Sequence, residues 1–237
     1  MLATRASMLD TPLDMSHIGT LNERTLHREL KELVAEPDDR FEVEMDGYVI
    51  DIVRGAQLIE IQTGSLGALG KKLDTLLDSH DVNVVAPISV MSWHHKNDGT
   101  VRKSPVRRTI YNLFDELVSL PTLVDHPRFT LDVVLIEEDT RRIHDPTLRR
   151  RRGGWRTVDR SIRSVVERRS FPDAQSLAGL IPPGLPDTFT TADIARIAGI
   201  HRSLAQKMAY CFRALGAFEA GARTRHGINY TTSSASS

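Results

Sequence analysis

A chain of 237 residues, 40% hydrophobic and 26% charged, is long enough to bury a sizeable core, and none of its apolar runs reaches bilayer-spanning length. Its 31 basic and 31 acidic side chains cancel, yet residues 1–90 carry 8 basic and 16 acidic groups while the remainder carries 23 and 15, an excess of −8 followed by +8. A helical membrane protein is excluded, the single Cys211 excludes an intrachain disulfide, and the basic second part suits a polyanionic partner or else a solubilising surface.

Residues 1–19 lack periodicity and read as a loose tail. They have neither the basic start nor the apolar core of a secretory leader, so the cytoplasm is the expected location. A first helix is predicted from about Leu21, with Leu26, Leu30, Leu33 and Val34 at helical spacing and Pro37-Asp38-Asp39 as its stop. Three strand-like runs follow, 41–45, 48–53 and 58–62. Asp46-Gly47 is a hairpin turn between the first two, and Arg54-Gly55-Ala56 turns the second into the third.

Leu66, Leu69, Leu73, Leu76 and Leu77 then line one side of a helix ending near His80, and 81–86 reads as a buried strand stopped by Pro87. A helix between two strands is a crossover, which makes the sheet mixed and the fold α/β (α+β). Residues 88–106 read as a hairpin around Asn97-Asp98-Gly99, 109–120 as a helix, 130–136 as a strand and 159–169 as a helix. Between the last two, Arg149, Arg150, Arg151 and Arg152 run into Gly153-Gly154, either a solvated loop or a phosphate-contacting surface.

The proline-rich stretch 171–186 is read as a linker, separating a first domain (20–170) from a second (187–232), with 233–237 as a tail. In the second, Thr190-Thr191 caps a helix carrying Ile194 and Ile197, and Gly199 makes a turn. A helix over 202–215 and two short strands around Arg223 and Arg225 follow, which is a winged helix-turn-helix pattern. Arg202, Gln206, Lys207, Arg213, Arg223 and Arg225 fall outward and suit DNA, whereas Cys211 falls among apolar neighbours and reads as core.

Chemistry points to three residues. Asp51, Glu60 and Gln62 interrupt adjacent apolar strands, where an unpaired ionised carboxylate costs several kcal/mol and normally neutralises, pairs or holds a metal. Alternation along a strand turns Glu60 and Gln62 to one face, beside Asp51. Two carboxylates and an amide suit Mg²⁺ or Mn²⁺ and phosphodiester hydrolysis. The bland reading is a structural ion pair of these acids with Arg54 or Lys72. His17, His27, His94 and His95 lack the third spaced ligand of a zinc site and read as surface residues.

With this element order and acid pair, residues 20–90 resemble the PD-(D/E)XK nuclease superfamily, with a restriction-endonuclease-like core. The resemblance implies that Asp51 and Glu60 are its metal-binding acids and that a lysine assists. Ile50 stands where the name-giving proline would be and Gln62 where the lysine is usual. A lysine displaced into the following helix is a variant of that superfamily. Lys71 and Lys72 are its candidates, and Lys72, beside the stripe of Leu69 and Leu73, is preferred. Some members also carry a glutamate in the first helix, for which Glu23 is the choice and Glu29 the substitute.

The expectation is therefore a Mg²⁺-dependent nuclease on DNA, with RNA also compatible. Asp51, Glu60, Gln62 and Lys72 are catalytic, Asp51, Glu60 and Glu23 hold metal, and a homodimer pairs two sites. The alternative is a nuclease-like DNA-binding regulator or assembly subunit that does not cleave.

Overall fold

A computed structural model describes residues 25–145, 154–225 and 227–233. Helix α1 (Thr25–Val34) leads into β1 (Arg40–Met45), β2 (Tyr48–Arg54) and β3 (Gln57–Ile61), followed by a 3-10 turn (Leu66–Leu69) that runs into α2 (Gly70–Leu76). The hairpin turn Asp46-Gly47 has φ of 50° and 80°, the doubly left-handed geometry that matches the twist of flanking strands. Strands β4 (Asp81–Lys96) and β5 (Val101–Lys103), helix α3 (Phe114–Leu117), and the long β6 (Phe129–His144) and β7 (Trp155–Phe171) complete the sheet. Its order is β1-β2-β3-β4-β6-β7, with β5 on the end of β4. The pairs β3–β4 and β4–β6 are parallel and the others antiparallel, so the predicted crossover and mixed sheet hold.

Helices cover both faces of this α+β sheet. On one side Leu26 and Leu30 of α1 pack on Ile52, Ile59, Ile61, Val85, Val134 and Ile136. On the other, a larger core joins Leu73 and Leu76 of α2, Phe114 of α3 and the opposite faces of β4 and β6. That core continues without a break into the C-terminal elements α4 (Ala174–Ala178), α5 (Thr191–Ala198), α6 (Arg202–Ala214), β8 (Phe218–Thr224) and β9 (Gly227–Thr232). Phe114 and Phe212 meet at 5.0 Å between ring centroids, and Phe212, Phe218 and Phe189 extend the aromatic chain. Thr190 and Asp193 cap the start of α5 reciprocally, and Gly199 ends it at φ 64°.

The helix expected over 109–120 is a 3-10 turn (Ile110–Leu113) followed by the four-residue α3, and two further expectations change. Strand β4 does not stop at Pro87 but runs on to Lys96. Gln62 N–H donates to Val85 O, so the polar groups of Val85 and, two residues on, of residue 87 face the β3 side; β3 pairs no further than Ile61, and the N–H that proline lacks has no ladder bond to break. Residues 159–169 are not helical but belong to β7. Among the described residues, no helix is long and apolar enough to cross a membrane.

Candidate metal centre

The register Arg54↔Gln57, Val53↔Leu58, Ile52↔Ile59, carried one step further, sets Asp51 opposite Glu60. The β2–β3 ladder stops at Ile52↔Ile59, whereas β3 pairs with β4 along its whole length, as far as Ile61↔Val85. At this fork the two carboxylates take the backbone donors that the ladder leaves: Asp51 Oδ2 accepts from Ile61 N–H at 2.8 Å, and the N–H of Asp51 faces the Glu60 carboxylate. The acids that interrupt the apolar runs are thus the residues that part the strands.

Each acid has a cationic neighbour on a different helix. From α1, His27 Nε2 lies 3.2 Å from Asp51 Oδ2, and Lys31 Nζ lies 3.7 Å from Asp51 Oδ1. Lys31 is 1% exposed and also contacts the carboxylate of Glu42. Glu42 interrupts β1 opposite Asp51, between the pairs Phe41↔Ile52 and Val43↔Ile50, with a φ of 51° that costs a non-glycine residue about 1–2 kcal/mol. From α2, Lys72 Nζ approaches Glu60 Oε1 to 2.5 Å while donating to Val49 O at 2.6 Å. Charge meets charge, but Glu60 Oε1 has no well-aligned hydrogen bond among the described residues.

These surroundings drive the two carboxyls apart. Burial pushes Asp51 up, but the His27 hydrogen bond and charge, Ile61 N–H and Lys31 together hold it below the usual carboxylate range. Burial also pushes Glu60 up, and there the negative charge of Asp51 adds to it, so that Lys72 does not restore the ordinary value. Asp51 is a firm anion. Glu60 is the member of the pair that a further cation would stabilise most.

The structure brings Asp51, Glu60 and Lys72 together, and Lys71 stays outside, its carbonyl accepting from Thr75. Gln62 follows β3, its Nε2 donating to Ser65 O at 2.5 Å across the turn. Glu29 caps a backbone position elsewhere, accepting from Ile162 N–H. Glu23 lies outside the described residues, as do Arg149, Arg150, Arg151 and Arg152. Among the described residues, no three His, Cys, Asp or Glu side chains are grouped to hold a metal, so a site here rests on two protein carboxylates. Two carboxylates with water completing the shell is an ordinary donor set for Mg²⁺.

His27, Lys31 and Glu42 were not singled out in the sequence as parts of this centre. The spacing of His27 and Lys31, four apart beside Leu26 and Leu30, was the available signal for the first two. Nothing in the sequence marks the left-handed backbone of Glu42.

The residues expected to fall outward in the C-terminal part are exposed with one exception. Arg202, Gln206, Arg213, Arg223 and Arg225 are exposed, while Lys207 is half-buried and paired with Asp115 at 2.8 Å, linking α6 to α3. A second basic and aromatic surface lies where β4 to β7 project beyond the helices. Arg163 and Lys103 stand over the Trp93 ring at 4.2 and 5.1 Å, and Lys96 over Trp155 at 4.4 Å.

Residues 24–172 match the family model described as Domain of unknown function (DUF8091). An uncharacterized protein of Treponema pallidum (strain Nichols) is 34% identical over 191 residues, covering 78% of this chain and 76% of the relative. No solved structure matches the chain.

Proposed function

The chain belongs to the DUF8091 family, and we propose that it is a metal-dependent nuclease of the PD-(D/E)XK type, hydrolysing phosphodiester bonds in DNA. The observation that carries this reading is the fork at which Asp51 and Glu60 oppose each other on β2 and β3, with the Lys72 ammonium beside them. Asp51 and Glu60 would hold Mg²⁺ or Mn²⁺, with Glu23 as a further carboxylate. When bound, the ion supplies charge stabilisation at the phosphate and acidifies an attacking water. The unaligned Glu60 Oε1 and the mutual repulsion of the two acids fit a cation between them.

The chain's own groups divide the remaining work. Lys72, steadied by Val49 O, offers an ammonium to the phosphate oxygens, and Gln62 offers an amide to position water. Helix α1 fixes Asp51 through His27 and Lys31, keeping it ionised. The helix pair α5–α6 with the β8–β9 hairpin is read as a winged helix whose exposed arginines hold the duplex. A homodimer would present two such centres to the two strands.

A second reading, a DNA-binding regulator or assembly subunit that does not cleave, is favoured by two observations: both acids already have cationic partners, and Gln62 stands where the superfamily that the chain resembles usually has its strand lysine. Incubating duplex DNA with the protein and Mg²⁺ or Mn²⁺ separates the two. The nuclease reading expects cleavage that Asp51→Ala and Glu60→Ala abolish; salt-sensitive DNA binding without metal uptake or cleavage supports the regulator instead.

A further inference from the structure

Seven polar or charged side chains are buried among the described residues, and four of them, Ser89, Ser104, Glu138 and Thr140, line one pocket. Burying polar groups costs free energy unless each finds a partner, so their concentration around one cavity calls for an explanation. The cavity, about 450 Å³, lies within the range of small-molecule sites. Its floor is the sheet beyond the cover of α1: Ser89 pairs with Ile136, the last apolar residue on that face of β6, and a bulge after Ser89 keeps Ser92 and His94 opposite Glu138 and Thr140. The segment after β5 folds back over it, with Ser104 N–H on Ser92 O and Arg108 N–H on Val90 O.

The pocket's own bonds show what it leaves on offer. Thr140 Oγ1 donates its only proton to Trp93 O at 3.1 Å, so it must accept from His94 Nδ1 at 2.6 Å. His94 Nε2 is then a bare acceptor, because the imidazole is held below its ordinary range by burial and next by Arg142, and stays neutral. Glu138, 3% exposed, spends one oxygen on two bonds from Arg160, at 2.9 and 2.6 Å, which cancels its charge. Arg160 also donates to Thr63 O, tying the pocket to the turn after β3. Arg108, exposed at the rim, has no hydrogen-bond or ion-pair partner for its guanidinium among the described residues; Asp115 is near enough only to feel its charge. Ser89 Oγ donates to Met91 O and bonds Ser92 Oγ, and Ser104 Oγ accepts from Val106 N–H, so the pocket presents a cation at its rim, an acceptor nitrogen inside and a wall of serine oxygens with lone pairs remaining.

We propose that this pocket binds a nucleotide, the phosphate on Arg108 and the hydroxyl and N–H groups of sugar and base on His94 Nε2 and the Ser89, Ser92 and Ser104 wall. An anion with adjacent donors is what this set recognises, and neither a purely apolar ligand nor a bare cation fits it. The same chemistry is found in a free mononucleotide and in the 5′-phosphorylated end of a strand. The inference is independent of the metal centre, which shares none of these residues.

Calorimetric titration in EDTA tests it with AMP, UMP and a 5′-phosphorylated dinucleotide as probes, on wild type, Arg108→Gln and His94→Gln. Both substitutions are at partly or fully exposed residues, and circular dichroism verifies that each variant is folded. Saturable binding of at least one probe, weakened at least tenfold by Arg108→Gln, is expected. Binding of the mononucleotides alone identifies a free nucleotide as the ligand, and binding of the dinucleotide alone identifies a strand end. No saturable binding of any probe at millimolar concentration, or binding that both substitutions leave unchanged, overturns the proposal. Running it without divalent ions keeps this failure distinct from failure of the nuclease reading.

Discussion

Replacing Glu60 with Gln should stabilise the metal-free protein at neutral pH. The carboxylate is 6% exposed, and burial, with Lys72 opposing and Asp51 assisting, leaves its folded pKa above the unfolded value of 4.5. The folded state then binds the proton more tightly than the unfolded state, so this group's contribution to stability is fully present below 4.5 and declines as pH rises through the folded pKa. Gln keeps the shape and an oxygen for Lys72 and for Asp51 N–H, without the charge. Each pKa unit of displacement, which is already net of the Lys72 attraction, is worth about 1.4 kcal/mol. The expected gain at pH 7 is therefore on the order of 1 kcal/mol per unit of displacement, and Tm rises by about 2–4 °C per kcal/mol for a chain of this size. Urea unfolding followed by circular dichroism in EDTA at pH 7 and pH 5 reads it, and the gain should shrink at the lower pH. A loss of about 2 kcal/mol or more at pH 7 would mean that Lys72–Glu60 is a stabilising structural pair, and the reasoning that treats Glu60 as waiting for a cation would be refuted.

Asp51 should behave in the opposite sense. Its folded pKa lies below 3.8, so the stability it confers is present above that value and is lost as pH falls through the folded pKa; Asp51→Asn should flatten the acid limb of a urea-midpoint profile. Arg160→Leu leaves the buried Glu138 carboxylate without its cation and should cost about 3 kcal/mol by the same unfolding assay; a cost under about 1 kcal/mol would contradict that account. Cys211 is fully buried with its thiol pushed up to about 11, so iodoacetamide at pH 8 should modify it only in urea, with mass spectrometry counting the adducts.

Much of the scaffold around the fork could be read from residues alone, because local signals there agree with the tertiary result. Asp46-Gly47 adopts the turn its composition requires, the leucines of 66–77 do face the sheet, and Thr190, Asp193 and Gly199 bound α5 as caps. Strand β7 shows why agreement can mislead. Val165 pairs with Ile136 and Ile162 with Glu138, two apart on β6 but three apart on β7, because a bulge inserts an extra residue between them. A second bulge beside Val166 does the same, so the apolar residues of an irregular strand recur at helical spacing. At the centre itself, the acid pair and Lys72 were legible as polar residues on or beside apolar stripes. The Lys31–Glu42 contact depends on a backbone conformation that no composition signals. Likewise the pocket of Ser89, Glu138 and Thr140 depends on strand register over long β4 and β6, which short-range patterns do not determine.

The most direct test of the account is a calorimetric titration of the intact chain with Mn²⁺, beside Asp51→Asn and Glu60→Gln. Saturable uptake by the wild type that disappears in both variants, while circular dichroism shows each folded, is the predicted result. Uptake that both variants retain, or a wild type that takes up no Mn²⁺ at millimolar concentration, would contradict a cation held at the fork of β2 and β3.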